Sequence, residues 1–267
     1  MATLRTSVAP QGCRAAAGVL RQQLAHDYSA SYRISEGSCV ASRLRLMSAN
    51  LLNGGAAAQV FAELVTALGA DVVAVQEVAP EQAAALTRAL PYGSVEPACD
   101  HTGMGIALRR PGTMRRMPLG RSHAAIADLD PVHWPGALSA IEVINVHIAA
   151  PHLLPFFETM RRRRDELRRL EEYLDGRPQH ARVLLGDLNS TPLWPLYRRL
   201  TSRLTDAAAD AARRRGVRSL PTWGPWPGGP RLARIDHALV NGVTVEGFQV
   251  VRIDGSDHSA IVLDVSA

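Results

Sequence analysis

The sequence predicts an α/β (α+β) domain, a four-layer sandwich of two packed mixed β-sheets flanked by helices. Two observations predict it. Many short apolar runs end in polar residues, and the helical patterns between them are few and scattered. A hydrophobic share of 46% in 267 residues is enough for one sizeable core. The predicted domain covers residues 43–267, and residues 1–42, rich in Ala, Ser and Arg, are expected to form a variable or poorly ordered extension.

The first predicted strand, Leu44–Asn50, alternates between apolar and polar residues. A helix is predicted over residues 60–68, where apolar residues recur at helical spacing and Gly69 follows as a left-handed cap. Residues 72–77 then form a nearly uninterrupted apolar run, which is typical of a strand buried on both faces. A second helix is predicted over residues 80–91, which begin and end with proline.

The later elements follow the same pattern. Apolar residues over 153–174 predict an amphipathic helix, and the arginine run 161–164 falls mostly off its apolar stripe. This run is either a solvated helix face or a phosphate-facing patch, and we prefer the solvated face. The remaining predicted strands cover residues 104–108, 123–128, 140–146, 183–187, 235–240, 250–253 and 260–265.

Composition excludes several classes of protein. All 30 basic residues are arginine, so a Walker phosphate loop, a protein kinase and a Schiff-base enzyme are excluded, because each requires a lysine. Cys13, Cys39 and Cys99 are too far apart for a CxxC zinc site or a disulfide framework. No stretch approaches the roughly 18 apolar residues of a membrane span. The net charge of +5 favours an anionic partner, although a coding bias towards arginine explains part of it.

Polar residues interrupt or follow the apolar runs at six places. Carboxylates without cysteine suit a hard cation such as Mg²⁺, and histidines suit proton transfer near neutral pH. This inventory describes metal-assisted phosphoester hydrolysis. Singly, each residue also fits a turn, a cap or a satisfied core position, but together these readings require several coincidences. The residues are Asn50, Glu77, His147, Asp187 with Asn189, Asp236, and Asp257 with His258.

These residues also carry a resemblance over about residues 43–266. The motifs are Asn50, Gln76-Glu77, Asn145-Val146-His147, Gly186-Asp187-Leu188-Asn189, Ile235-Asp236-His237 and Ser256-Asp257-His258. In this order they resemble the endonuclease/exonuclease/phosphatase superfamily, the deoxyribonuclease I-like fold. His147 followed by residues 149–152, and Pro221-Thr222-Trp223, are similar to a bacterial branch of largely uncharacterised members that are often membrane-attached.

The resemblance implies a cofactor and a role for each residue. The cofactor is Mg²⁺, with Mn²⁺ as a substitute, and the metal ligands are Asn50, Glu77 and Asp257. Asp236 orients His258, the base for the attacking water, and Asp187 helps to orient that water. His147 is a phosphate stabiliser or general acid. Asn189 donates hydrogen bonds to the phosphate, and Arg121 is the candidate for the basic residue that often contacts substrate in this superfamily. Trp223 is predicted as a further substrate contact.

The predicted function is therefore a Mg²⁺-dependent phosphodiesterase, most simply a nuclease. A phosphatase or phospholipid phosphodiesterase of the same fold is the alternative, as is a non-catalytic member that binds nucleic acid. Trp223 and Trp226 fit stacking on bases, contact with a membrane, or a packed structural loop. The expected partner is a phosphate ester, including nucleic acid, and the protein is expected to be a cytoplasmic monomer without a transmembrane segment.

Overall fold

The computed structural model describes residues 43–135, 137 and 139–266, so the expectation for residues 1–42 lies outside the described residues. Within this part, twelve strands form two six-stranded sheets and five helices accompany them, which confirms the predicted sandwich. None of these helices is both long and apolar enough to cross a membrane.

The first sheet is ordered β11-β12-β1-β2-β4-β3, and within it β1 and β2 are parallel while the other pairs are antiparallel. Its strands are β1 (Leu44–Asn50), β2 (Val72–Gln76), β3 (Tyr92–Glu96), β4 (Met104–Leu108), β11 (Thr244–Arg252) and β12 (Ser259–Ser266).

The second sheet is ordered β5-β6-β7-β8-β10-β9, and here β7 and β8 are the parallel pair. Its strands are β5 (Thr113–Pro118), β6 (His123–Leu129), β7 (Ile141–His147), β8 (Ala181–Asp187), β9 (Thr205–Asp206) and β10 (Asp236–Asn241).

Each parallel pair is connected through a helix, as parallel strands require. The predicted left-handed cap of the first helix is present, since Gly69 has a φ of 64°. The helices are α1 (Ala58–Leu68), α2 (Pro80–Ala89), α3 (Phe156–Asp175), α4 (Pro195–Thr201) and α5 (Ala207–Arg215), of which α1 connects β1 to β2 and α3 connects β7 to β8.

The main hydrophobic core lies between the sheets. Alternate residues of β1 and β2, such as Leu46 and Val72, meet residues of the second sheet such as Val143 and Leu185. A second core lies between the other face of the second sheet and the helices α3 and α4. Because β2 is buried on both faces, its continuous apolar run is explained.

Several elements were not predicted. The strands β3 and β5 contain Gly, Ser, Arg and Pro and are mostly not buried, so they lack the apolar alternation that marks a strand. Both lie at a sheet edge, where hydrogen bonding to a single neighbour suffices. The short β9 and the helices α4 and α5 were missed too, and β11 begins at Thr244, six residues before the predicted start.

Candidate active site

The two parallel pairs bring their carboxyl ends to one place between the sheets. Asn50 ends β1, Glu77 follows β2, and His147 and Asp187 end β7 and β8. The Asn50 side chain joins the sheets, because its Nδ2 donates to Glu77 Oε1 at 3.0 Å and to Asp187 Oδ2 at 3.2 Å. His147 Nε2 lies 3.7 Å from Glu77 Oε1 and 3.8 Å from Asp187 Oδ2. These four predicted residues therefore form one cluster.

A buried amide pair fixes the spacing of the two sheets beneath this cluster. Asn145 Nδ2 donates across the core to the carbonyl oxygens of Val75 and Gly105, at 2.9 and 2.8 Å. Gln76 Nε2 donates to Asn145 Oδ1 at 2.6 Å. Both amide side chains are fully buried, so these motif residues support the site from below without lining it.

Asp236 and His258 form a hydrogen-bonded pair. Asp236 begins β10 opposite Asp187, and its Oδ2 lies 2.9 Å from His258 Nδ1. His258 Nε2 lies 3.8 Å from Asp187 Oδ2 and 3.9 Å from Asp257 Oδ1. Burial opposes the charged imidazolium, but attraction to Asp236 and the two other carboxylates overrides it and raises the pKa of His258 to about 10.

Burial also shifts the pKa values of Asp187 and His147. Burial, and then repulsion from Asp236, raise the pKa of Asp187 to about 7, although His258 and two amide hydrogen bonds act in the opposite direction. Burial and the neighbouring charge of His258 lower the pKa of His147 to about 4. His147 is therefore neutral near pH 7, whereas His258 carries a proton.

One carboxylate oxygen of Asp257 accepts no hydrogen bond from the described residues. Its Oδ2 accepts the indole N–H of Trp223 at 3.0 Å, while its Oδ1 is buried and has no hydrogen-bond partner. Arg231 secures the loop by donating to the carbonyl oxygens of Ser256 and His258, at 3.0 and 2.9 Å. A buried carboxylate oxygen without a partner is costly in the absence of a cation or a donor.

Glu77 and Asn189 have left-handed backbones, with φ of 53° and 47°. This conformation is uncommon outside glycine and clusters at functional sites. At Asn189 it is stabilised locally, because the backbone N–H donates to Asp187 Oδ1 at 2.7 Å and Nδ2 donates to the carbonyl oxygen of Ile148 at 3.0 Å. Both side chains line the cleft described below.

The donor set fits a hard divalent cation. Glu77 and Asp257 offer carboxylate oxygens, one of which lacks a partner. Asn50 presents its amide nitrogen to Glu77, because its Oδ1 accepts the N–H of Leu52 at 3.0 Å. A second group, Asp187, Asp236 and His258, also has ligand atoms within 4.8 Å of one another and could hold a metal ion. In this group the Asp236 carboxylate is already hydrogen-bonded to His258 Nδ1. This arrangement favours proton transfer over metal binding.

These residues open into a cleft of about 910 Å³, called here the active-site cleft. Arg121 and Trp223, the two predicted substrate contacts beside Asn189, line it, whereas Asn50 and Asp236 lie behind its wall. Arg121 is exposed and forms no ion pair within residues 43–135, 137 and 139–266. The cleft is further lined by Glu77, Glu96, His101, His123, His147, Ala149, His152, Leu153, Arg162, Asp187, Asp257 and His258.

Interpreting the arginine run as a solvated face was wrong for Arg163. It is buried, with guanidinium bonds to the carbonyl oxygens of Ala149 and Asn189 and to Ser190 Oγ. It therefore joins the loops that follow β7 and β8. Helical periodicity contained the signal, since Arg163 precedes the buried Leu167 and Leu170 by four and seven residues.

His237 points away from the cleft, as the two-residue period predicted. Its ring is fully buried, and Nε2 lies 2.8 Å from the carbonyl oxygen of Ser190. Burial lowers its pKa to about 4, so this histidine is a neutral structural residue.

Two packed mixed sheets with carboxylates and histidines gathered at their strand ends define the deoxyribonuclease I-like class of fold. The family model described as "Endonuclease/Exonuclease/phosphatase family" matches residues 47–258, and the chain belongs to this family. Its members are phosphoric ester hydrolases. No curated protein matches the chain in a sequence comparison.

Solved structures share the fold at low sequence identity. A functionally unknown conserved protein from Enterococcus faecalis V583 has a TM-score of 0.65 and 15% identity over 84% of this chain and 100% of its own. Humanized D. rerio TDP2 has a TM-score of 0.65 and 16% identity over 85% and 100%. A family protein from Beutenbergia cavernae DSM 12333 has 0.63 and 19% over 84% and 72%. These likenesses show the fold alone.

Proposed function

We propose that the protein is a divalent-metal-dependent phosphodiesterase that cleaves nucleic acid, with Mg²⁺ as the cation and Mn²⁺ as a substitute. The convergence of three carboxylates, Glu77, Asp187 and Asp257, with the two histidines His147 and His258 in one cleft carries the proposal. The solved structure of D. rerio TDP2 in complex with a single-strand DNA product has the same fold, which is consistent with a nucleic-acid substrate.

Glu77 and Asp257 hold the cation in this proposal. Their carboxylates reach the cleft, and the free Oδ1 of Asp257 gains the partner it lacks. Asn50 positions Glu77 through its 3.0 Å hydrogen bond, and direct ligation by Asn50 would require its amide to turn over. When bound, the cation would polarise the phosphoryl oxygens and stabilise charge on the departing oxygen.

His258 accepts the proton of the attacking water at Nε2 as the water oxygen bonds to phosphorus and the ester bond breaks. Asp236 holds the imidazole at Nδ1, which leaves Nε2 directed towards Asp187. His258 must first release its own proton from Nε2, because burial is outweighed by attraction to Asp236 and the neighbouring carboxylates, which keeps the imidazole charged near pH 7. Asp187 orients the water.

The phosphate is stabilised by neutral and cationic donors. Asn189 lines the cleft, and its Nδ2 donates to the Ile148 carbonyl oxygen and to Asp187 Oδ2. In the proposal, the proton that is given to Asp187 is given to a phosphate oxygen instead as charge builds there. His147 is neutral near pH 7 because burial lowers its pKa, so it acts here as a hydrogen-bonding stabiliser. Arg121 supplies positive charge from the opposite wall.

The proposal is tested by incubating the protein with plasmid DNA and, separately, with bis(p-nitrophenyl) phosphate, in Mg²⁺, Mn²⁺ or EDTA. We expect metal-dependent turnover of both substrates and its loss in His258→Ala. His180→Ala, on an exposed residue away from the cleft, is the matched histidine control. The absence of turnover on both substrates, or equal activity of the two variants, would contradict the proposal.

A phospholipid phosphodiesterase is the second candidate, favoured by one observation. Segments 150–157, 191–194 and 220–235 all contribute to the wall of the cleft, and all of them expose large apolar side chains. Exposed apolar patches mark binding surfaces, including lipid surfaces. These side chains are Leu154, Phe156, Phe157, Leu193, Leu220, Trp226 and Leu232.

Vesicles distinguish the two candidates. A lipid enzyme should sediment with phosphatidylcholine vesicles in EDTA and release the headgroup when Mg²⁺ is added, and Phe157→Ser should weaken both. A nuclease should nick the plasmid without either effect. Val132→Ser, on an exposed apolar residue that does not border the cleft, is the matched control.

A further inference from the structure

A buried carboxylate in α3 lies outside the proposed catalytic residues. Glu166 is fully buried. Its Oε1 accepts Ser122 Oγ at 2.7 Å and Arg162 Nε at 2.8 Å, and its Oε2 accepts the backbone N–H of Ala149 at 3.1 Å. Glu166 thus links three segments of the chain at the edge of the active-site cleft.

The bond to Glu166 fixes an arginine in the wall of the cleft. Arg162 is attached only through Nε, and no other hydrogen bond from its guanidinium is formed with the described part of the chain. Its side chain is 29% exposed and lines the cleft. Both of its Nη groups are therefore available to a ligand, on a side chain that has already lost much of its conformational freedom.

Arg121 is adjacent to the second residue that Glu166 holds. The turn at Ser122 is closed by a 2.8 Å bond from the N–H of Leu119 to its carbonyl oxygen. Arg121 lines the same cleft and is exposed. Glu96, an acidic residue that also lines the cleft, is already paired with Arg116. The cleft is therefore lined both by carboxylates, at Glu77, Asp187 and Asp257, and by arginines, at Arg121 and Arg162.

We propose that Arg162 and Arg121, organised by Glu166, form a second anion subsite, which binds a phosphate other than the one being cleaved. This inference rests on the proposed function and specifies its substrate. A guanidinium fork with two free Nη groups matches two oxygens of one phosphate. The second phosphate belongs either to the next linkage of a nucleic-acid strand or to a diphosphate group.

Binding is measured without catalysis, by fluorescence anisotropy of a labelled oligothymidylate in EDTA. We expect Arg162→Gln to weaken binding about tenfold to a hundredfold, the range for a hydrogen-bonded charge. The slope of log affinity against log salt should fall by about 0.7, the value for one phosphate contact on a single strand. The matched control is Arg164→Gln, on an exposed arginine of the same helix that does not line the cleft. Equal effects of the two variants would overturn the proposal.

Arg121→Gln provides a second variant in case Arg162→Gln disturbs the fold, because Arg121 is exposed. Its salt slope should fall in the same way. Inorganic diphosphate is the second probe: diphosphate that binds in an Arg162-dependent manner, with an oligonucleotide that does not, assigns the subsite to a diphosphate substrate. If neither probe depends on Arg162 or Arg121, the subsite does not exist.

Activity separates failure of this inference from failure of the proposed function. In Arg162→Gln, kcat/KM for the oligonucleotide should fall at least about tenfold more than kcat/KM for bis(p-nitrophenyl) phosphate, which has one phosphate. Equal falls for both substrates would indicate that Arg162→Gln disturbs the fold, and Arg121→Gln then decides: equal falls in that variant as well would contradict the subsite. If the parent protein cleaves neither substrate, the proposed function fails, whereas the anisotropy result still decides the subsite.

Discussion

The two sheets position their polar site residues in the same way. In each, a parallel pair is connected through one helix, β1 to β2 through α1 and β7 to β8 through α3. Each pair carries polar side chains at its carboxyl end, Asn50 and Glu77 in the first sheet, His147 and Asp187 in the second. The strand geometry is therefore shared, and it does not by itself assign a chemistry to either set.

The difference lies in burial and hydrogen bonding. In the first sheet, Glu77 remains 18% exposed and Asp257 Oδ1 has no partner, so this pair, called here the cation side, still has oxygens to offer. In the second sheet, Asp187 and Asp236 are about 2% exposed and fully engaged in hydrogen bonds. Together with His258 they form the proton side. The contrast shows that hydrogen-bond partners, more than position along a strand, decide whether a carboxylate has an oxygen available for a cation.

The largest effect is expected on the proton side. His258→Ala removes the base held by Asp236, and we expect kcat to fall by about 10² to 10⁴. The Mg²⁺ concentration for half-maximal rate should stay the same, because the cation side is intact. Steady-state kinetics across a Mg²⁺ titration measures both. A shifted Mg²⁺ requirement would mean that His258 contributes to cation binding. That result would contradict the division of the site into a cation side and a proton side.

An effect of a different kind, one that depends on the Mg²⁺ concentration, is expected from Glu77→Gln. The amide keeps the shape of the side chain but removes its charge, so the cation should bind more weakly. We expect kcat/KM at low Mg²⁺ to fall about a thousandfold, which corresponds to several kcal/mol, and to recover in part as Mg²⁺ is raised. Glu81→Gln, on an exposed glutamate of α2, is the control. A loss that no concentration of Mg²⁺ restores would refute the assignment.

His237 tests the limits of the proton side, because it follows Asp236 in sequence but is buried away from the cleft. Its pKa falls from 6.5 to about 4 on folding, chiefly through burial. Its contribution to stability is therefore fully present above pH 6.5 and lost as pH falls towards 4, by up to about 3 kcal/mol. The His237→Gln variant keeps a donor for the Ser190 carbonyl. Between pH 7 and pH 4, its free energy of unfolding should therefore fall by that much less than the free energy of unfolding of the parent protein. Urea unfolding in EDTA gives the difference, and parallel losses in parent and variant would disprove it.

Much of the fold was predictable because its signals are local. The run that forms β2 is apolar at every position before Gln76, and such a run ends where the strand ends. A polar residue at that point must be satisfied by a partner, which is why Glu77 and Asp187 could be selected without knowledge of their contacts. Parallel pairing places Glu77 beside Asn50 and Asp187 beside His147, and the packing of the two sheets then brings these pairs together.

The remainder depends on contacts between residues that are distant in sequence. Glu142 and Arg182 are buried charges that meet across β7 and β8, and no local pattern distinguishes them from exposed ones. The same holds for Glu166, whose partners lie up to 44 residues away. It also holds for the Asn50 amide, whose Nδ2 donates to Glu77 and, across the two sheets, to Asp187.

The smallest effect tests how the cation side is supported. Trp223 was predicted as a substrate contact, yet its indole N–H donates to Asp257 Oδ2, so it also orients a proposed ligand. Trp223→Phe keeps the ring and removes the donor. We expect the apparent Mg²⁺ affinity to fall about tenfold, at the low end for a partner that orients a metal ligand. If instead Mg²⁺ affinity is unchanged while KM for DNA rises, Trp223 acts on the substrate alone, and the cation side is held in place by Arg231 and the backbone of its loop.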